Sequence, residues 1–210
     1  MFIIIALIIF NITLLYISIA KRLNSYINLI AFQGFLLFVI AFYELSEIHI
    51  INLIFVLLET VIFKTFAIPY FLKKIIKKNK ITREAEPFVS NFISLLIITT
   101  AIFISFVLAT NLEANTEKVI YYSISISTVF TGLFLIMSRK KIITHIMGYI
   151  IIENGVFLLS LAVGNKMPML VNTGILLDIF ATILTLGIFV NKIGDVFKEV
   201  DVDNLESLKD

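Results

Sequence analysis

The chain has 210 residues, of which 60% are hydrophobic and only 15% are charged, and its mean hydropathy is +1.04. A soluble domain ordinarily carries about 25% charged residues, so this composition excludes that class and predicts an integral membrane protein. The sequence has no cysteine and only two histidines, which excludes disulfides, thiolate-bound metal centres and paired haem ligands. We therefore expect no cofactor to be bound by this chain.

Seven segments are long and apolar enough to cross the bilayer, because a helical span needs about 20 apolar residues at a rise of ~1.5 Å each. Their apolar residues surround the whole helix, and they lack the alternating pattern of a membrane barrel. The sequence therefore predicts an all-α, polytopic membrane protein. The predicted spans are residues 2–20, 25–43, 50–71, 88–110, 119–138, 141–164 and 169–191.

Basic residues are concentrated in alternate connections between the spans. Of the 17 lysines and arginines, 14 fall on one predicted side, Lys118 and Lys166 fall on the other, and Lys64 lies inside a span. Because positively charged connections stay in the cytoplasm, the N-terminus is predicted outside and the C-terminus cytoplasmic. This orientation requires an odd number of spans. The predicted location is the cytoplasmic (inner) membrane, crossed several times.

The connections divide the chain into four parts. Residues 1–71 hold the first three spans, residues 72–87 form a basic cytoplasmic loop, residues 88–191 hold four spans, and residues 192–210 form a cytoplasmic tail. A lipid-binding or nucleic-acid-binding site is one explanation for the positive charges of the basic loop. A positive-inside connection explains the same charges without a ligand, so neither site is predicted.

Four charged residues fall near the middle of spans, namely Glu59, Lys64, Glu153 and Asp178. An ionised side chain at the bilayer centre costs at least about 2.5–3.5 kcal/mol, so such groups usually face a protein interior and pair there. All four lie within about 6 Å of the midplane at ~1.5 Å per residue, so they can share one network. The lysine is expected to pair with Glu153 or Asp178. His145 lies about 12 Å nearer the cytoplasm, where it could relay protons.

The alternative is that the polar and charged residues within the spans have only structural roles. Buried polar side chains can hold membrane helices together, and Gly148, Gly155 and Gly174 can permit close packing. The isolated amides Gln33 and Asn154 are expected at most to hold water. The polar connections contain no phosphate loop, dinucleotide fingerprint, zinc motif or serine-nucleophile pattern, so we expect no active site on this chain.

Three stretches of the chain resemble a known family. Residues 139–155, which read RKKIITHIMGYIIIENG, resemble the signature helix of component E of the hydrogenase-4 complex. Residues 174–181 and 201–209, which read GILLDIFA and DVDNLESLK, look like the next helix and the ending of that family. The segments around Lys64 and Gln33 fit the family more loosely. The resemblance covers nearly the whole chain and is most specific from residue 139 onward.

The last helices of that family, here residues 141–191, are similar to chain K of NADH:quinone oxidoreductase and to C-type subunits of multisubunit cation/proton antiporters. Chain K carries two membrane glutamates that are important for proton transfer. The first aligns at Ile150, one helical turn before Glu153 and on nearly the same helix face, and the second lies close to Asp178. The resemblance thus implies a coupling role for Glu153 and Asp178.

The resemblance implies a membrane-arm subunit of a complex-I-like, membrane-bound nickel–iron hydrogenase or formate-hydrogenlyase complex. The nickel–iron centre and iron–sulfur clusters would belong to peripheral partners, and the membrane partners would be antiporter-like chains. Within this hypothesis Lys64, Glu153 and Asp178 form a proton or sodium relay, with His145 at its cytoplasmic entrance and Glu59 toward the outside. A non-conducting scaffold of the same complex and a free-standing secondary transporter are the alternatives.

Overall fold

The computed structural model describes residues 2–44, 54, 57–78 and 87–163, and the structural statements below concern these residues alone. For Glu59 and Lys78 it describes the backbone only. The regular structure of the described residues is helical. The helices are α1 (Phe2–Ile19), α2 (Leu23–Glu44), the π-helix π1 (Glu59–Ala67), α3 (Ile68–Lys78), α4 (Asn91–Leu112), α5 (Thr116–Ser138) and α6 (Ile142–Val163).

Among the described residues, five helices are long and apolar enough to cross a membrane, namely α1, α2, α4, α5 and α6. The prediction of an all-α, multi-pass membrane protein is thereby confirmed. The predicted third span is described in part, as π1 and α3. The predicted span 169–191 and the tail 192–210 lie outside the described residues. Seven spans and the predicted orientation stay predictions.

The helix of the third predicted span continues past residue 71, since α3 extends to Lys78. The first part of the predicted basic loop is therefore helical. The reason is an amphipathic pattern, in which Leu72 and Ile76 are buried on one face of the helix. The described lysines of this stretch, Lys73, Lys74 and Lys77, are exposed. Lysines near the C-terminal end of a helix also interact favourably with its dipole.

Short connections order the helices along the chain. Three residues each join α1 to α2, α4 to α5, and α5 to α6. Ser90 caps α4 by accepting a hydrogen bond from the Ile93 N–H, and Asn115 caps α5 by accepting one from the Glu117 N–H. Connections this short make consecutive helices antiparallel neighbours.

One apolar core joins the helices on both sides of the basic segment. Buried side chains of α1, α2, α3, α5 and α6 form a continuous cluster that includes Phe10, Leu37 and Met147. Helix α4 lies at the periphery against α1 and α5, and most of its large apolar side chains are exposed. The candidate site therefore lies among α1, α2, π1 and α6, away from α4.

Helices α5 and α6 approach each other through glycines. A methyl group added at Gly132 would lie 2.6 Å from the Gly148 carbonyl oxygen. One added at Gly155 would lie 2.9 Å from the Val129 backbone nitrogen. The prediction that Gly148 and Gly155 permit close packing is confirmed, whereas Gly174 lies outside the described residues.

Candidate functional site: a buried charge pair

A lysine and a glutamate meet in the interior of the helix bundle. Lys64 of π1 places its Nζ 2.5 Å from Oε1 of Glu153, which lies on α6. The two side chains are only 3% and 7% exposed. The expected pairing of the lysine is thus confirmed, with Glu153 as its partner. Because the opposite charges are hydrogen-bonded, each offsets part of the desolvation cost of the other.

The Lys64 ammonium has a second contact on α6. Its Nζ lies 4.5 Å from the centroid of the Phe157 ring. Phe157 follows Glu153 by four residues, so both side chains lie on one face of α6, one turn apart. A cation over an aromatic face is attracted to it by about 0.5–2 kcal/mol. The ammonium is therefore held between a carboxylate and an aromatic ring.

The backbone that carries Lys64 is a π-helix rather than the expected α-helix. At its end the Ile68 N–H donates to the Phe63 carbonyl, five residues back along the chain. Pro69 follows and has no N–H with which to continue the backbone ladder. π-helical turns are rare and occur frequently at functional sites. The lysine thus projects from an irregular segment of the bundle.

Three buried polar side chains join α6, at the residue after Glu153, to α2 and α1. Asn154, next to Glu153, donates from Nδ2 to Oε1 of Gln33 at 3.2 Å. Gln33 donates from Nε2 to Oγ1 of Thr13 at 2.8 Å, and Thr13 donates to the Phe10 carbonyl at 2.6 Å. Sequence reasoning assigned the two amides only a water-holding role and missed the threonine. The signal that could have found them is their similar depth on three different spans.

Two acceptor oxygens beside the pair have no hydrogen-bond partner among the described residues. They are Oε2 of Glu153 and Oδ1 of Asn154, and both are buried. An unsatisfied buried acceptor costs about 1–3 kcal/mol. Since Oε1 of Glu153 contacts the lysine, Oε2 is the carboxylate oxygen that is available to a further hydrogen-bond donor.

His145 lies at the N-terminal end of α6, eight residues before Glu153. Its half-buried ring places Nε2 3.0 Å from the carbonyl oxygen of Arg139. A carbonyl only accepts, so Nε2 carries the hydrogen of this bond and Nδ1 is the acceptor nitrogen of the neutral ring. Tyr149 lies four residues after His145 and four before Glu153, so the three side chains follow one strip of the helix surface.

Two other predicted site groups, the Glu59 side chain and Asp178, lie outside the described residues. Glu59 begins π1, but its side chain is outside the description. Asp178 lies beyond residue 163 and is also outside it. Their predicted roles stay predictions. Across residues 2–44, 57–78 and 87–163, no group of three or more His, Cys, Asp or Glu side chains could hold a metal ion.

A cavity of about 280 Å³, lined by both polar and apolar side chains, lies at the opposite end of α6. Its lining includes Glu44, Glu117, Tyr121 and Leu161. The Tyr121 hydroxyl donates to Oε2 of Glu44 at 3.2 Å. Leu161 follows Glu153 by eight residues, so the cavity lies about 12 Å beyond the charge pair along the helix axis. Polar groups thus flank the pair at both ends of α6.

Arg139 occupies a position that the positive-inside pattern does not predict. Its side chain is fully buried, and its Nη2 donates to the Ser18 carbonyl at 2.7 Å. The guanidinium carbon lies 5.9 Å from the centroid of the Tyr26 ring. Burial lowers the pKa of the Arg139 guanidinium from its ordinary value, and the interaction with Tyr26 opposes that shift. Arg139 therefore ties the connection before α6 to the ends of α1 and α2.

Arg139→Lys is expected to lower the free energy of unfolding by about 1–3 kcal/mol, because a lysine lacks the planar fork that reaches the Ser18 carbonyl. The thermal midpoint of the purified protein in detergent measures this change. Arg22→Lys, at an exposed position of the neighbouring connection, is the matched control and should leave the midpoint unchanged. Equal midpoints for Arg139→Lys and the parent would show that the buried bond contributes nothing.

Comparison with known proteins concerns the part of the chain that carries Glu153. Residues 120–210 match the family model of NADH-ubiquinone/plastoquinone oxidoreductase chain 4L. This C-terminal part is chain-4L-like. The match includes α6 and the predicted last span, and it confirms the likeness to chain K that residues 141–191 predict.

Two groups of relatives extend the comparison. The chain is 23% identical over 194 residues, 90% of its own length and 88% of the relative's, to uncharacterized protein Rv0085 of Mycobacterium tuberculosis. It is 30% identical over 87 residues to hydrogenase-4 component E of Escherichia coli K12 and of Shigella flexneri. That second match covers 41% of this chain and only 40% of component E, so the likeness is partial. No solved structure matches the chain.

Proposed function

We propose that this chain is a membrane-arm subunit of a complex-I-like assembly that couples electron transfer in its partners to proton or sodium movement. The observation that carries the proposal is the buried pair of Lys64 and Glu153, whose glutamate lies in the chain-4L-like segment. The partial likeness to component E favours a hydrogenase-4 or formate-hydrogenlyase type of complex. A buried ion pair joins two helices at a high cost in desolvation free energy. Its presence therefore favours a role in ion movement over a role as a passive scaffold.

The charge state of the pair can change when the Lys64 ammonium and the Glu153 carboxylate separate. While the Lys64 ammonium contacts Oε1, Glu153 is stabilised as the carboxylate. If the ammonium moves away from Oε1 and keeps its contact with the Phe157 ring, the carboxylate loses its counter-charge and takes up a proton at Oε2. Return of the lysine favours the anion again and expels the proton. Each cycle of lysine movement thereby carries one proton.

A route along α6 connects the pair to both ends of the helix. In the predicted orientation, Nδ1 of His145 takes up protons from the cytoplasm. Tyr149, whose hydroxyl can both donate and accept, lies about 6 Å of helix rise beyond His145 and about 6 Å before Glu153. Single waters can bridge such steps. Beyond the pair, the cavity at Leu161 receives the proton, Asp178 is the second acidic position, and Glu59 lies toward the outside.

The proposed partners supply the chemistry that this chain lacks. Electron transfer takes place in peripheral subunits that hold the nickel–iron centre and the iron–sulfur clusters. Antiporter-like chains adjoin this subunit in the membrane. In this arrangement the chain needs no active site of its own, and its contribution to an oxidoreductase complex is the coupled movement of ions.

Ion translocation by the intact complex tests the proposal. The complex is purified through an affinity tag on this chain, reconstituted into vesicles, and assayed for protons and sodium ions moved per electron pair. We expect several different membrane chains to co-purify. Glu153→Gln is expected to lower the ratio of protons to electrons by about tenfold or more, because a neutral amide cannot carry a proton. Asp178→Asn is expected to lower it as well.

Three other outcomes would contradict the proposal. An unchanged coupling ratio in both variants would leave a scaffold that conducts nothing. Recovery of this chain alone as an active transporter would indicate a free-standing secondary transporter. Co-purification with partners that hold no redox centre would exclude the proposed type of complex.

A further inference from the structure

Two adjacent residues of α2 contact the two helices that carry the charge pair. Gln33 accepts a hydrogen bond at Oε1 from Nδ2 of Asn154, the residue next to Glu153. Gly34 lies against π1, where an added methyl carbon would be 2.9 Å from the carbonyl carbon of Lys64. One step of α2 therefore contacts α6 and π1 at the level of the pair.

We propose that Gln33 and Gly34 are positioning residues that set the separation of the two charges, an inference that rests on the proposed function of the pair. Lys64 and Glu153 are 89 positions apart in the chain and lie on elements that no short connection joins. Their separation must therefore be set by an element that packs against both, and α2 does so. Gln33 bonds to α6 through its side chain. Gly34 allows π1 to approach α2 closely because a glycine has no side chain.

The environment of Gln33 suits a positioning role because both polar atoms of its amide form hydrogen bonds. Nε2 donates to Oγ1 of Thr13 at 2.8 Å while Oε1 accepts from Asn154, so the fully buried side chain has little freedom. Amides do not exchange charge near neutral pH, so this chain of bonds braces the helices and does not conduct protons. It terminates at the carbonyl of Phe10 on α1.

Gly34 has a separate effect, which concerns backbone packing. The nearest atoms to its missing side chain are the Lys64 carbonyl carbon and, at 3.0 Å, the nitrogen of Thr65. These are backbone atoms, which cannot rotate away as the end of a side chain can. A methyl group at this position therefore pushes the whole of π1 outward and carries the lysine away from Glu153.

A double-mutant cycle measures the positioning directly. The coupling between Lys64→Met and Glu153→Gln is determined from thermal unfolding of the purified complex, in the parent and again with Gln33→Leu or Gly34→Ala. The interaction between the two substitutions is expressed as a factor in the unfolding equilibrium constant. We expect this factor to fall by about tenfold in the Gln33→Leu background and in the Gly34→Ala background. Thr131→Val is the control, because it removes an equally buried hydroxyl whose bond stays within α5.

A second variant protects the test against a simple failure to assemble. Gln33→Leu leaves the Asn154 amide without its acceptor, whereas Gln33→Leu with Asn154→Leu removes both partners and avoids an unpaired group. Unchanged coupling in either assembled Gln33 variant, or in Gly34→Ala, would overturn the positioning role.

The outcomes also separate this inference from the proposed function. Reduced coupling together with normal ion translocation by Glu153→Gln would retain the positioning and reject the relay. Unchanged coupling together with lost translocation by Glu153→Gln would reject the positioning role and retain the relay.

Discussion

Lys64→Met and Glu153→Gln are each expected to lower the stability of the assembled protein by about 3–5 kcal/mol, because each leaves the other charge buried without a partner. The double variant is expected to recover most of that loss. Its two neutral side chains are close in size to the originals and place no charge in the interior. The thermal midpoint in detergent, followed by circular dichroism, measures all three variants against the parent.

Charge removal at exposed positions controls for effects of net charge. Lys73→Met and Lys74→Met on α3 remove a positive charge where the side chains are exposed, and neither should move the midpoint. A double variant as unstable as the two single variants would contradict the pairing. It would mean that each residue stabilises the bundle through contacts other than the bond between them.

Gly132→Leu and Gly148→Leu are expected to prevent stable packing of α5 on α6. A methyl group at Gly132 would already lie 2.6 Å from the Gly148 carbonyl oxygen, and one at Gly148 would lie 2.9 Å from the Gly132 carbonyl oxygen. Alanine at either position is expected to lower the free energy of unfolding by about 1–3 kcal/mol, because the backbone atoms it meets can move only if the two helices separate. The yield of folded protein and its thermal midpoint measure the loss.

The matched control for the glycine variants lies on the outer face of α6. Val156→Leu adds bulk to the same helix at a side chain that is 37% exposed, and it should be tolerated. Normal yield and midpoint for Gly132→Ala would show that the two helices can separate at little cost. The close approach would then have no role in holding α6, and with it Glu153, in place.

The membrane helices could be predicted because the bilayer restricts backbone structure so strongly. Every N–H and C=O of a span must be bonded within the protein, so a long apolar segment has little choice but to be helical. The pairing of Lys64 could be predicted for the same kind of reason, since a lone charge at that depth is too costly. Such expectations depend on solvation alone and need no knowledge of tertiary packing.

Other features depend on contacts that the linear pattern does not contain. Hydropathy is the same for α and π geometry, so the π-helix around Lys64 had no sequence signal beyond Pro69. Gly34 and Thr13 matter only because particular helices meet there. Arg139 was counted as one more cytoplasmic charge, and its burial follows from the way the end of α1 folds against the connection before α6.

The most direct test of a working charge pair is ion translocation by the double variant Lys64→Met with Glu153→Gln, in the complex purified through this chain. The account predicts a complex that assembles and transfers electrons, yet moves about tenfold fewer protons or sodium ions per electron pair than the parent. An assembled double variant that moves ions at the parental ratio would show that the pair only stabilises the bundle, and the proposed relay would be wrong.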